Sequence, residues 1–112
     1  MTRQEWLAAL IDLSEPIEEV LTALSRYDWD SDRPLVTVRR QHVLCVLNEY
    51  LEGHLQTEDV ERWADSLHVR EDVDFEIDFE GLVRETLFEL GNPYLTQRLD
   101  PDRAKYWIER LS

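Results

Sequence analysis

Apolar residues recur along most of this chain at the i, i+3, i+4, i+7 spacing that gathers them on one face of an α-helix. Trp6, Ala9, Leu10 and Leu13 form a first stripe, and Ile17, Val20, Leu21 and Leu24 form a second. Ser14 and Pro16 stand between them as a new N-cap and first turn, which predicts two short helices or one helix kinked near Pro16. Residues 26–34 contain three aspartates, Ser31 and a proline without a sustained period, so they read as loop. A longer helix is expected over residues 37–52, with Val43, Leu44, Leu47, Tyr50 and Leu51 on one broad face and Gly53 as its C-terminal cap. Thr57 is expected to cap the next helix, whose stripe is Val60, Trp63, Ala64 and Leu67, with Glu58, Asp59 and Glu61 near its positive end. From Phe79 the period returns as Leu82, Val83, Thr86, Leu87 and Leu90 and stops at Gly91-Asn92-Pro93. Asp100 as cap and Pro101 at the first position open a last helix carrying Ala104, Trp107, Ile108 and Leu111. Five or six amphipathic helices with short links predict an all-α, single-domain bundle over residues 1–112, with Trp6, Trp63 and Trp107 in its core.

One segment breaks the helical period. Val73, Phe75, Ile77 and Phe79 alternate strictly with Asp74, Glu76, Asp78 and Glu80, and period two means extended chain. Eight residues so extended span about 26 Å, with carboxylates on one face about 6.6 Å apart. A strand needs a partner, and the comparable run is Leu35-Val36-Thr37-Val38. The two pair as a small ribbon, or the segment at about 71–79 lies unpaired along the bundle.

Charge makes this segment the centre of interest. The chain has 25 acidic and 12 basic residues, a net charge of −13, and six of the acids fall in residues 71–80 without a basic residue among them. A surface so negative repels phosphate, so direct binding of nucleic acid or of an anionic membrane face is not expected. The 43% hydrophobic share distinguishes the chain from a disordered acidic tail. Asp72, Asp74, Glu76, Asp78 and Glu80 are read either as a solvated face or as a recognition surface for a cationic partner, whose encounter they would accelerate in a salt-dependent way. The single cysteine, Cys45, lies in an apolar run and reads as a packed structural thiol in a reducing compartment. Residues 1–13 carry Arg3, Glu5 and Asp12 and do not form an export signal, so a cytoplasmic location is expected.

Other candidate chemistry fails on spacing. Asp28, Asp30 and Asp32 stand at positions one, three and five of a calcium loop, but Arg33 occupies the glycine position and Arg39 the bidentate-carboxylate position. Trp29, between the aspartates, is an anchor for the core or for an interface. His42, His54 and His68 lack the spacing of metal ligands, with His54 placed in the turn after Gly53. Arg39-Arg40 at a helix start opposes the helix dipole and is expected to pair with nearby aspartates. No catalytic, cofactor-binding or metal residue is assigned.

The size, the charge, the helical hairpin around Gly53 and the acidic stretch 71–80 together resemble the small, acidic, cytosolic helical immunity proteins of bacterial toxins, of the colicin D and contact-dependent growth inhibition types. That resemblance implies a toxin domain as partner, often a nuclease with a basic active site, neutralised stoichiometrically without chemistry by the inhibitor. The surface expected to meet it comprises Asp72, Asp74, Glu76, Asp78 and Glu80, with the loop Asp28, Trp29, Asp30 and Asp32. A homodimeric helical scaffold or adaptor is the alternative, and it predicts an apolar surface patch that the monomer fold does not need. A small enzyme using carboxylates is a third class, and nothing in the sequence singles out a catalytic pair.

Overall fold

A computed structural model describes residues 1–27 and 31–112. At the first, the fourth and the last helix, a side chain within the first turn satisfies a free backbone donor. The first, α1 (Arg3–Asp12), opens on a reciprocal box in which the Glu5 amide donates to the Thr2 hydroxyl at 3.1 Å and the Thr2 amide to the Glu5 carboxylate at 2.9 Å. It ends at Leu13, which takes the left-handed conformation at φ 51°. The chain then re-enters helix at α2 (Ile17–Leu24) after Pro16, so two helices form and Ser14 lies outside both.

The expected helix over 37–52 begins three residues late. Val36–Val38 is instead a strand, β1, and α3 (Arg40–Leu51) follows it, ending before Gly53 at φ +84°. β-branched residues at 36–38 favour extended backbone, and tertiary pairing decided the matter. Next, α4 (Thr57–His68) is capped by Gln56 rather than Thr57, with the Gln56 amide donating to the Asp59 carboxylate at 2.8 Å. A second strand, β2 (Val73–Phe75), precedes α5 (Glu80–Gly91) and α6 (Pro101–Leu111). Asp100 caps α6 as expected, accepting from the Arg103 amide at 2.8 Å.

The strands pair in parallel, Val36 with Val73, Thr37 with Asp74 and Val38 with Phe75. The connection between them is the α3–α4 hairpin, since parallel neighbours need a long crossover. Hydrogen bonds from the Leu35 amide to Asp72 and from the Glu76 amide to Val38 extend the ladder at both ends.

The core draws on every helix. Trp63 of α4 and Trp107 of α6 are fully buried, among Leu7 and Leu10 of α1, Leu24, Leu47, Leu67 and Leu87. Burial of an indole leaves its N–H in need of an acceptor. Trp63 finds the Leu10 carbonyl at 2.8 Å, which ties α4 to α1. Trp6 is partly buried against the same cluster. Where α4 crosses α5 there is no room for a side chain: a Cβ on Gly91 would stand 2.8 Å from the Asp65 amide nitrogen. Cys45 is exposed on α3, a correction to its expected packing, because α3 buries Val43, Val46 and Leu47 instead. No helix among the described residues is long and apolar enough to cross a membrane.

Candidate functional site

The acidic stretch 71–80 divides into three parts with different chemistry. Asp72 is a correction to the expected surface: it is buried completely, just before β2. Arg3 of α1 donates to one of its oxygens at 3.0 Å through Nε, with Nη2 at 2.8 Å. The buried Arg70 forks onto both oxygens at 2.8 and 2.9 Å. Burial alone would raise the Asp72 pKa; the hydrogen bonds from Arg70 and Arg3 outweigh it and hold the carboxyl below its ordinary value. Period two would set Asp72 on the outward side with Asp74; instead it lies just ahead of β2, where the guanidinium groups of Arg3 and Arg70 cover it.

Glu76 and Glu80 remain accessible but are held by arginines. The Glu76 carboxylate accepts from the Arg40 backbone N–H at 2.8 Å and lies 3.5 Å from Arg40 Nε. That hydrogen bond, with the Arg40 charge, lowers the Glu76 pKa. A carboxylate from a distant segment thus supplies the negative group that the first turn of α3 lacks in its own sequence. Arg40 also lies over the Phe79 ring, 3.5 Å from its centroid. Its partner is therefore a glutamate, not one of the aspartates expected for the Arg39-Arg40 pair. Glu80 receives Arg84 at 3.0 Å one helical turn on.

Asp74 and Asp78 project from the exposed edge. Asp74 accepts from the adjacent Phe75 amide at 2.8 Å, which occupies an outward N–H of β2 and blunts that edge against another strand. The extended period holds for Val73 and Phe75, both buried, and then fails. The Phe79 amide closes a turn onto the Glu76 carbonyl at 3.2 Å, and Asp78 adopts φ 75°. Ile77, expected on the buried side, is 83% exposed at the apex of this turn. Pinning of Glu76 by Arg40 and the entry into α5 force the reversal.

Asp32 is exposed and shares a shallow depression with Glu71, Arg3 and Arg33, so the structure brings the end of the first loop beside the start of the ladder. Asp28, Trp29 and Asp30 lie outside the described residues.

The charge economy behind this surface was not visible in the sequence. Among the described residues, eight of the eleven arginines hold carboxylates in ion pairs. One of these pairs is built into the core: Glu89 of α5 accepts from Arg103 at 2.8 and 2.5 Å and from the Trp107 indole at 2.5 Å. Burial opposes its ionisation, but the hydrogen bonds from Arg103 and Trp107 leave its pKa lowered. With the arginines so committed, the carboxylates of Glu71, Asp74 and Asp78 have no ion pair among the described residues.

At the exposed end of α3, His54 Nδ1 lies 2.7 Å from Glu49 and 3.5 Å from Glu52. One ligand atom from each falls within 4.8 Å of the others, a proximity created by the turn at Gly53. Imidazole and carboxylates contact one another there in solvent.

Comparisons with family models, with curated proteins and with solved structures found no match to this chain.

Proposed function

We propose that this protein is a stoichiometric inhibitor, of the immunity type, that binds a basic protein toxin domain through the turn at residues 74–80. One observation carries the reading: Ile77 stands almost fully exposed between Asp74 and Asp78, two carboxylates with no ion pair among the described residues. An apolar side chain at the centre of a charged rim is the anatomy of an interface anchor, because the rim steers encounter and the anchor slows dissociation. The committed arginines support the same reading, since the net charge of −13 is carried by acids without local compensation. Asp32 and Glu71 extend the negative field, whereas Asp72, Glu76 and Glu80 serve the fold first. A basic nuclease domain fits this field, and nucleic acid and anionic membranes do not.

The exposed Ile77, Tyr94 and Leu95 supply the apolar surface that the homodimeric scaffold reading requires. Self-association would bring together two surfaces of charge −13, which disfavours it.

The experiment is titration of a basic toxin nuclease domain, chosen as candidate partner, against wild type, Asp74→Lys, Asp78→Lys and Ile77→Asp, at two salt concentrations. Each charge reversal is expected to weaken binding at least about tenfold and to reduce its salt dependence. Unchanged affinity in all three variants would refute the proposal, and a mass that doubles with concentration in sedimentation would favour the scaffold.

A further inference from the structure

The peptide unit between Val38 and Arg39 joins β1 to α3, and it is hydrogen-bonded at both ends. Its carbonyl accepts from the Glu76 amide at 2.9 Å. Its N–H, that of Arg39, donates to Nδ1 of His42 at 2.8 Å. The next N–H along the chain, that of Arg40, donates to the Glu76 carboxylate at 2.8 Å. Glu76 then opens the turn that carries Ile77 and Asp78, its carbonyl accepting from the Phe79 amide at 3.2 Å. A continuous series of hydrogen bonds thus runs from the His42 ring to the exposed turn.

A ring nitrogen that accepts a hydrogen bond carries no proton, so His42 caps Arg39 only as the neutral imidazole with its proton on Nε2. Nε2 lies 3.6 Å from Asp12 Oδ1 of α1, beyond hydrogen-bond length but close enough to attract a charged ring. The ring is partly buried, in a depression between α1 and β1 lined also by Ala8, Ile11, Val36 and Thr37. Among the described residues the charged groups that face it are Asp12 of α1, Arg39 at the start of α3 and Glu76 after β2, while β1 brings none. Burial disfavours the charged ring most strongly, Asp12 favours it, Arg39 disfavours it and Glu76 favours it; the balance holds the His42 pKa below its ordinary value. The hydrogen bond from the Arg40 amide lowers the Glu76 pKa, so Glu76 stays ionised where a histidine titrates.

We infer that His42 is a proton-operated latch on the turn at residues 76–79: the neutral ring holds the Val38–Arg39 peptide and, through it, Glu76, and the protonated ring releases that peptide and turns to Asp12. Protonation replaces the acceptor by a second N–H aimed at the Arg39 N–H, and it sets a positive charge on the first turn of α3, against the helix dipole. The Arg39 amide loses its partner, the peptide is free to rotate, and its carbonyl no longer faces the Glu76 amide. Ile77 and Asp78 follow Glu76 directly, so the same event shifts the surface proposed to grip the basic partner. Acid conditions then weaken that grip. This last consequence rests on the reading of the protein as an inhibitor, and the latch itself does not.

The test follows the whole ¹⁵N-labelled chain by NMR from about pH 7.5 to about pH 5, with the His42 ring signals recorded in the same series. The amides of Arg39, Arg40, Glu76, Ile77 and Asp78 are expected to shift with the midpoint of the His42 ring. His42→Gln keeps an acceptor for the Arg39 amide and has no proton to gain, so in this variant the shifts with that midpoint should vanish. A ring that stays neutral down to about pH 5, turn amides that ignore its midpoint, or the same shifts in His42→Gln would each overturn the latch. In calorimetry with the basic domain, the affinity of wild type should fall between these pH values at least about fivefold more than that of His42→Gln. An equal fall in both proteins, with binding intact at neutral pH, overturns the latch and leaves the inhibitor reading. Coupled amide shifts in a chain that binds no basic domain at any pH remove the inhibitor reading and leave the latch.

Discussion

Replacing Asp72 by asparagine separates structural acids from recognition acids. The side chain keeps its shape but loses its charge, leaving the buried Arg70 and the half-buried Arg3 facing a neutral amide that offers one acceptor oxygen in place of two. Breaking a buried ion pair by removing one partner costs about 3–5 kcal/mol, and the retained amide places the expected loss near about 3 kcal/mol. A domain of 112 residues has a total stability of about 6–15 kcal/mol, so the loss is a large fraction of it. Thermal unfolding is expected to shift down by about 12 °C, at about 4 °C per kcal/mol for a chain of this size. The acid limb should change as well. Because the folded carboxyl has a lowered pKa, its stabilisation is complete above the unfolded value near about 4 and is lost as pH falls through the folded one. Asp72→Asn removes that contribution, so stability should fall less steeply below about pH 4 than in wild type. Urea unfolding at pH 7 and at pH 3, with binding of the basic domain measured at a temperature where the variant is folded, checks all three. A loss below about 0.5 kcal/mol, or weakened binding by the folded variant, would refute this assignment of Asp72.

The Glu89 cluster makes a parallel case: Glu89→Ala leaves the Trp107 indole N–H buried without its acceptor, and denaturant melts should show a loss of about 2–3 kcal/mol with altered Trp107 fluorescence. Gly91→Ala should destabilise by about 1–3 kcal/mol in the same melts despite the better helix propensity of alanine, because its Cβ would meet the Asp65 backbone at 2.8 and 2.9 Å. Asp78→Gly relieves a left-handed backbone in an exposed turn, and it should leave melting unchanged or raise stability by up to about 1 kcal/mol while weakening the basic domain's binding in calorimetry. Cys45 should react fully with a chromogenic disulfide reagent in the native protein, without denaturant, since it is exposed.

Local chemistry in the sequence is enough to predict most of the helices. Amphipathic stripes, the stop at Gly91-Asn92-Pro93 and the Asp100-Pro101 cap work through neighbours within a turn, and they predict five or six helices, of which the fold has six, with Trp63 and Trp107 in the core. Tertiary structure decided what depends on distant partners. Residues 36–38 became strand because 73–75 lay ready to pair with them. Asp72, Asp74, Glu76 and Asp78 look equivalent as a run of acids, yet pairing with β1 and the positions of Arg3, Arg40 and Arg70 bury one, anchor one and leave two outward. The alternation that predicted a buried Ile77 contains no signal of the reversal at Glu76, because that reversal is imposed by an arginine 36 residues away. Composition shows how many charges a chain carries, and only the fold decides which of them are already neutralised, because an ion pair depends on distance in space and not on spacing along the chain.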